Sequence, residues 1–85
     1  MAKLKKLFEK IVNNPNDVGF DDLDKLLKRY GFTRRHPRKG SSHFTYHHSQ
    51  LDEILTIPKD RPIKAIYVKK AIGAIRKLQD RGEVE

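Results

Sequence analysis

The residues best suited to chemistry lie near the middle of the chain, in the sequence Lys-Gly-Ser-Ser-His-Phe-Thr-Tyr-His. At the strand period of two, Phe44 and Tyr46 share one face. His43, Thr45 and His47 share the other face. If the aromatic side chains are buried, the imidazoles are exposed. Imidazole has a reference pKa of about 6.5 and acts as a general base or a general acid near neutrality. The spacing therefore predicts a proton-transfer site centred on His43.

Basic residues flank this histidine on its N-terminal side: Arg34, Arg35, His36, Arg38 and Lys39. Cations gathered around one hairpin are expected where a phosphate backbone binds, although such runs are commonly solvated surface. Histidine beside bound phosphate favours RNA cleavage, which needs a group that takes the 2′-hydroxyl proton and cations that stabilise the phosphate. No second proton-transfer group is apparent, because surface roles are favoured for His47 and His48.

The predicted turn and the last helix supply further candidate contacts to RNA. Gly40 suits the positive φ of a hairpin turn, and its small size would let RNA approach the backbone. Ser41 and Ser42 either donate to phosphate or only end the turn. The candidate RNA-binding residues are Arg34, Arg35, Arg38, Lys39, Gly40, Ser41, Ser42, Lys69 and Lys70. No Asp, Glu or Cys stands at ligand spacing from the histidines, so no metal site is predicted.

Length and composition limit the possible functions. The chain has 85 residues, with 19 Lys and Arg against 11 Asp and Glu and a formal charge of +8. This length predicts one domain, and this charge predicts a polyanionic partner, with nucleic acid favoured over an acidic protein. The absence of Cys excludes disulfides and cysteine nucleophiles and fits a cytoplasmic protein. The N-terminal segment lacks the apolar run of a signal peptide or a membrane span.

Three helices are predicted from apolar residues at helical spacing. The first covers Ala2–Val12. The second runs from about Asp21 to Tyr30, with acidic residues in its first turn, basic residues in its last turn and Gly31 to close it. A last helix follows Pro62. Its buried stripe would consist of Val68, Ala71, Ile72, Ile75 and Leu78.

Between the second and the last helix, alternation predicts three short antiparallel strands over 32–36, 42–48 and 53–57. The element order predicts an α+β fold in which a three-stranded antiparallel sheet carries helices on one face. A single domain over 1–85 is expected. It would comprise an N-terminal helical extension (1–13), a core (14–78) and a polar tail (79–85).

Several motifs, taken in order, resemble the HicA or YcfA-like toxins, which are small ribonucleases of bacterial and archaeal toxin–antitoxin pairs. The resemblance extends over about 14–78. Its anchors are Phe20 with Leu23, Leu26 and Leu27, then Gly31-Phe32, Lys39-Gly40-Ser41-Ser42-His43, Thr56-Ile57-Pro58, and Val68 with Ala71, Ile72 and Ile75. The family has a fold similar to a double-stranded-RNA-binding domain, helix-strand-strand-strand-helix. Periodicity predicts the same order here for residues 21–78.

The resemblance implies a metal-independent, histidine-dependent mRNA interferase that needs no cofactor and is silenced by a HicB-like antitoxin. The family motif Gly-Ser-x-His ends on His43, which would be the essential histidine. Two histidines found in many members are absent, since Ser42 follows Gly-Ser directly and Lys59-Asp60 follows Ile-Pro. Two other functions stay open. One is a non-catalytic RNA-binding module with this fold, and the other is an interaction protein whose basic face binds an acidic partner.

Overall fold

A computed structural model of the chain describes residues 2–35, 43–60 and 62–80, with side chains from Lys5 onward. The elements are α1 (Ala2–Asn13), α2 (Phe20–Arg29), β1 (Thr33–Arg35), β2 (His43–His47), β3 (Leu55–Pro58) and α3 (Ala65–Asp80). This is the predicted order. The predicted fold class is confirmed: an α+β fold whose α2-β1-β2-β3-α3 part has the order of a double-stranded-RNA-binding domain, preceded by an extra helix.

The three strands form one antiparallel sheet in the order β1-β2-β3, so β2 is central. Directly opposed residues of neighbouring strands share a face of the sheet. By this register the side facing the helices carries Arg34, Phe44, Tyr46, Leu55 and Ile57. We call the opposite side the open face. It carries Thr33, Arg35, His43, Thr45, His47 and Thr56, each exposed or half-buried, together with the buried Pro58 at the end of β3.

The hydrophobic core lies between the sheet and the helices. The predicted helical stripes are buried at Phe20, Leu23, Leu26, Leu27, Tyr30, Val68, Ala71, Ile72, Ile75 and Leu78. From the sheet, Tyr46 is fully buried and Phe44 packs against the same cluster, which confirms that the aromatic row belongs to the core. The N-terminal helix α1 packs against α2 and α3 and buries Ile11.

The end of α2 determines where β1 begins. Gly31 has a φ of +91°, in the left-handed region that favours glycine. The Gly31 N–H donates to the Lys28 carbonyl at 3.1 Å, and the Phe32 N–H donates to the Leu27 carbonyl at 3.0 Å. This pair of bonds is the Schellman motif that the glycine predicts. Because the amide of Phe32 closes the helix, β1 begins at Thr33 instead of at the predicted residue 32.

The other boundaries shift slightly from the predicted ones. The ladder of β3 begins at Leu55 and not at residue 53, and it ends at Pro58, which is tolerated because β3 is an edge strand. The last helix continues through Asp80, so its final turn includes residues predicted as a polar tail. The predicted turn at 37–40 and the adjoining strand ends lie outside the described residues. None of the helices in the described part of the chain combines the length and the apolar composition that a membrane span requires.

Candidate active site

His43 is the first residue of β2, and its side chain is exposed on the open face. Its directly opposed neighbour is Pro58 on β3. The helices cover the other side of the sheet, so the imidazole is accessible to a polymer that lies across the open face. The structure thus leaves the His43 side chain on the side of the sheet that the helices do not cover.

Arg35 and Thr45 are directly opposed on the open face. Thr33 and His47 form the next opposed pair on that face, two residues further along β2. At a rise of about 3.4 Å per residue, Thr45 is about 7 Å and His47 about 14 Å from His43 along the strand. One phosphate group is too small to contact imidazoles separated in this way. The open face therefore brings Arg35, Thr45 and His43 close together, whereas His47 lies at the other end of β2.

Arg34 lies on the helix-facing side, opposite Tyr46. Its Nη1 donates to Asp24 Oδ1 at 3.1 Å, and its Cζ lies 5.1 Å from the centroid of the Phe44 ring. The side chain is only 24% exposed. The structure therefore does not bring Arg34 together with His43, and of these two adjacent arginines only Arg35 shares the open face.

Asp24 joins α2 to the sheet. Its Oδ1 accepts from the Tyr46 hydroxyl at 2.7 Å, and its Oδ2 lies 3.2 Å from Lys28 Nζ. The pKa of Tyr46 is raised above its ordinary value, mainly by burial of the side chain and secondly by the hydrogen bond to Asp24. Sequence reasoning missed this carboxylate. The available signal was its position four residues after Phe20 and three before Leu27, on the apolar stripe of the helix.

Tyr46→Phe should make the protein less sensitive to alkaline pH. At neutral pH the change removes one hydrogen bond to Asp24 and should lower the free energy of unfolding by about 1 kcal/mol. Above the ordinary tyrosine pKa of about 10, the unfolded wild-type chain loses the Tyr46 proton while the folded chain keeps it, so wild-type stability falls. Urea unfolding from pH 8 to 11 should show a steeper decline for wild type. Parallel curves would contradict this linkage.

His48 has a structural place in the turn after β2. Its ring centroid lies 5.2 Å from that of Phe32, and its Nδ1 accepts the Gln50 N–H at 3.0 Å. A Cβ at Gly31 would come within 3.0 Å of the His48 Nε2, so the ring also fills the space beside that glycine. These contacts hold His48 against the end of α2 and away from His43.

The remaining site predictions divide between α3 and the loop before β2. Lys69 and Lys70 are both exposed on α3. Lys70 lines a groove of about 430 Å³ between α3 and the edge strand β3. The loop candidates lie outside the described residues: His36, Arg38, Lys39, Gly40, Ser41 and Ser42. Among the residues that are described, no group of three or more His, Cys, Asp or Glu side chains could hold a metal ion.

Comparison with known protein families gives one match. A model of the family described as the HicA toxin of bacterial toxin-antitoxin matches residues 20–79. The matched region runs from the first residue of α2 nearly to the end of α3, so it contains the whole sheet and His43 and leaves out α1. No curated protein and no solved structure matches the chain.

Proposed function

Because the chain belongs to the HicA toxin family of toxin–antitoxin systems, we propose that it is a metal-independent ribonuclease that cleaves mRNA and is inhibited by a HicB-like antitoxin. The observation that carries this proposal is the exposed His43 on the open face of β2, a face that it shares with Arg35, in a chain with a net charge of +8. The polyanion is drawn to the protein by that charge, and the imidazole meets it on the side that the helices leave uncovered.

In the proposed reaction His43 transfers a proton at the scissile phosphate. It either takes the proton of the 2′-hydroxyl, which then attacks the neighbouring phosphorus, or gives a proton to the 5′-oxygen that leaves. Among the described residues, Arg35 is the cation on the open face that would stabilise the negative charge on the phosphate. With one histidine at the reacting phosphate, the enzyme would be a slow one. Slow cleavage is sufficient for a toxin that acts on mRNA.

RNA would be held by the basic residues around β2 and on α3. Arg35 belongs to the open face, and Lys69 and Lys70 are exposed on the helix that flanks β3. The loop residues Arg38, Lys39, Gly40, Ser41 and Ser42 complete the proposed RNA contacts. Arg34 is the exception, because its guanidinium already pairs with Asp24 beneath the sheet.

The antitoxin would act by covering His43. The family implies such a partner, and an acidic antitoxin would be attracted to the same basic surface that binds RNA. Binding of toxin to antitoxin should then weaken as the salt concentration rises.

The proposal is tested by incubating the purified chain with mRNA in excess EDTA, with a gel-shift on the same RNA. Cleavage that stops when the antitoxin is added would support it. A shift without cleavage would favour a non-catalytic RNA-binding module. That second candidate is supported by the roughly 14 Å along β2 that separates His43 from His47, the other open-face histidine of the described residues. If the chain neither cleaves nor shifts RNA at moderate salt, an interaction protein would be favoured.

Replacing Lys69 and Lys70 together by glutamine should weaken RNA binding and its dependence on salt. Each lost phosphate contact on a single strand should reduce the slope of log Kd against log salt by about 0.7, and both together by about 1.4. Replacing Lys5 and Lys6 is the matched control, since both lie exposed on α1 and either pair lowers the net charge from +8 to +6. Equal effects of the two double variants would indicate that net charge alone binds RNA.

A further inference from the structure

We propose that a cavity beside the open face holds one nucleobase of the RNA, next to the phosphate at His43. This inference rests on the proposed function and deepens it. The cavity has a volume of about 400 Å³, within the range of roughly 300–1,000 Å³ that is usual for small-molecule sites. The side chains that line it include Arg35, Thr45, His47, Leu51, Asp52 and Ile54.

The position of the cavity fits a nucleotide adjacent to the cut. One wall is formed by open-face residues of β1 and β2, and the other by the segment that joins β2 to β3. Of the two β2 residues that line the cavity, Thr45 is the nearer to His43, at about 7 Å along the strand. An RNA strand that follows β2 with a phosphate at His43 therefore brings a neighbouring base over the cavity.

The lining has the mixed chemistry that a base requires. A base has two apolar faces and a polar edge. Leu51 is half-buried and Ile54 is 64% exposed, so together they offer apolar surface to a face of the base. The His47 imidazole and the Arg35 guanidinium are planar groups on which bases stack.

The polar groups of the cavity also fit the edge of a base better than a bare phosphate. The Thr45 hydroxyl both donates and accepts hydrogen bonds, and the Asp52 carboxylate accepts them from exocyclic amino groups. The Asp52 carboxylate offsets the charge of Arg35 in the lining, and the two aliphatic side chains contribute nothing to phosphate binding. The cavity is thus suited to the base and not to the backbone of the RNA.

The test is an NMR titration of the full ¹⁵N-labelled chain with each of the four nucleoside 5′-monophosphates, compared with ribose 5-phosphate. Saturable amide shifts at Thr45, His47, Leu51 and Ile54 are expected with at least one nucleotide and not with ribose 5-phosphate. Equal shifts with ribose 5-phosphate would show that only the anion binds and would overturn the inference. Absence of saturable shifts with every nucleotide would overturn it as well.

Ile54→Ala should weaken nucleotide binding by about five-fold, as expected when a face of the base loses apolar contact area. Ile66→Ala is the matched control, because Ile66 is similarly exposed, at 59% against 64% for Ile54, and lies on α3. Thr45→Val keeps the shape of the wall and removes the hydroxyl, so it should also weaken binding. Unchanged affinity in both Ile54→Ala and Thr45→Val would overturn the inference.

This titration does not depend on catalysis, so the two proposals fail separately. Nucleotide binding by a chain that never cleaves RNA would refute the ribonuclease and support the base-binding cavity. RNA cleavage by a chain that binds no nucleotide at these residues would support the ribonuclease and refute the base-binding cavity.

Discussion

His43→Ala is expected to reduce RNA cleavage by about 10²- to 10⁴-fold, the contribution typical of a single general acid or base. RNA binding should change little, because the cations on the open face and on α3 remain. Since His43 is exposed, the free energy of unfolding should stay within about 0.5 kcal/mol of wild type. Single-turnover cleavage in EDTA, gel-shift and urea unfolding measure these three quantities.

Two further variants make the result specific to proton transfer. His43→Gln keeps a polar side chain of similar reach that cannot transfer a proton at neutral pH, so it should be as inactive as alanine. Thr33→Ala changes another exposed open-face residue outside the proposed machinery, and it should leave cleavage within about twofold of wild type. Full activity in both His43 variants would mean that another residue, or a contaminating nuclease, cuts the RNA.

Asp24→Ala is expected to lower the free energy of unfolding by about 2–3 kcal/mol, more than any other replacement of a polar side chain that we propose. The side chain is only 15% exposed and accepts from Arg34 and from the buried Tyr46 hydroxyl. Its removal leaves that hydroxyl without its acceptor inside the core and leaves the guanidinium of Arg34, 24% exposed, without its carboxylate. Urea unfolding at pH 7 gives the value.

Asp22→Ala is the control for this prediction, because it changes the same residue type on the same helix. Asp22 is 45% exposed and faces Lys10 at 3.4 Å, whose side chain is 69% exposed. An exposed ion pair of this kind contributes less than about 1 kcal/mol. Similar losses for the two variants would show that Asp24 contributes only through the charge of the helix N-terminus. Cleavage per folded molecule should be unchanged in both.

The fold was largely predictable because its determinants are local. The apolar stripes of α2 and α3 and the glycine at residue 31 can be read within a few residues of where they act. The boundary of β1 was not predictable in the same way. Phe32 has strand-like neighbours, but its amide is taken by a carbonyl of the preceding helix, which periodicity does not reveal.

The candidate site was predictable only where the position of a side chain depends on alternation along a single strand. Alternation along β2 correctly separated the face of His43 from the face of Tyr46. The sequence presents Arg34 and Arg35 as one basic cluster, although adjacent residues of a strand point to opposite faces. The cavity could not be predicted, because it joins Arg35, Thr45 and Ile54 from three separate stretches of the chain. The pairing of the strands and the segment that joins β2 to β3 bring these residues together.

The open face can change in sequence without disturbing the core. Thr33, Arg35 and Thr56 are exposed, while the side chains that maintain the fold point the other way, into the core. Selection can therefore act on the two faces almost independently. A combinatorial library restricted to exposed open-face positions should yield mostly folded proteins, from which altered target preferences can be selected without compensating mutations in the interior.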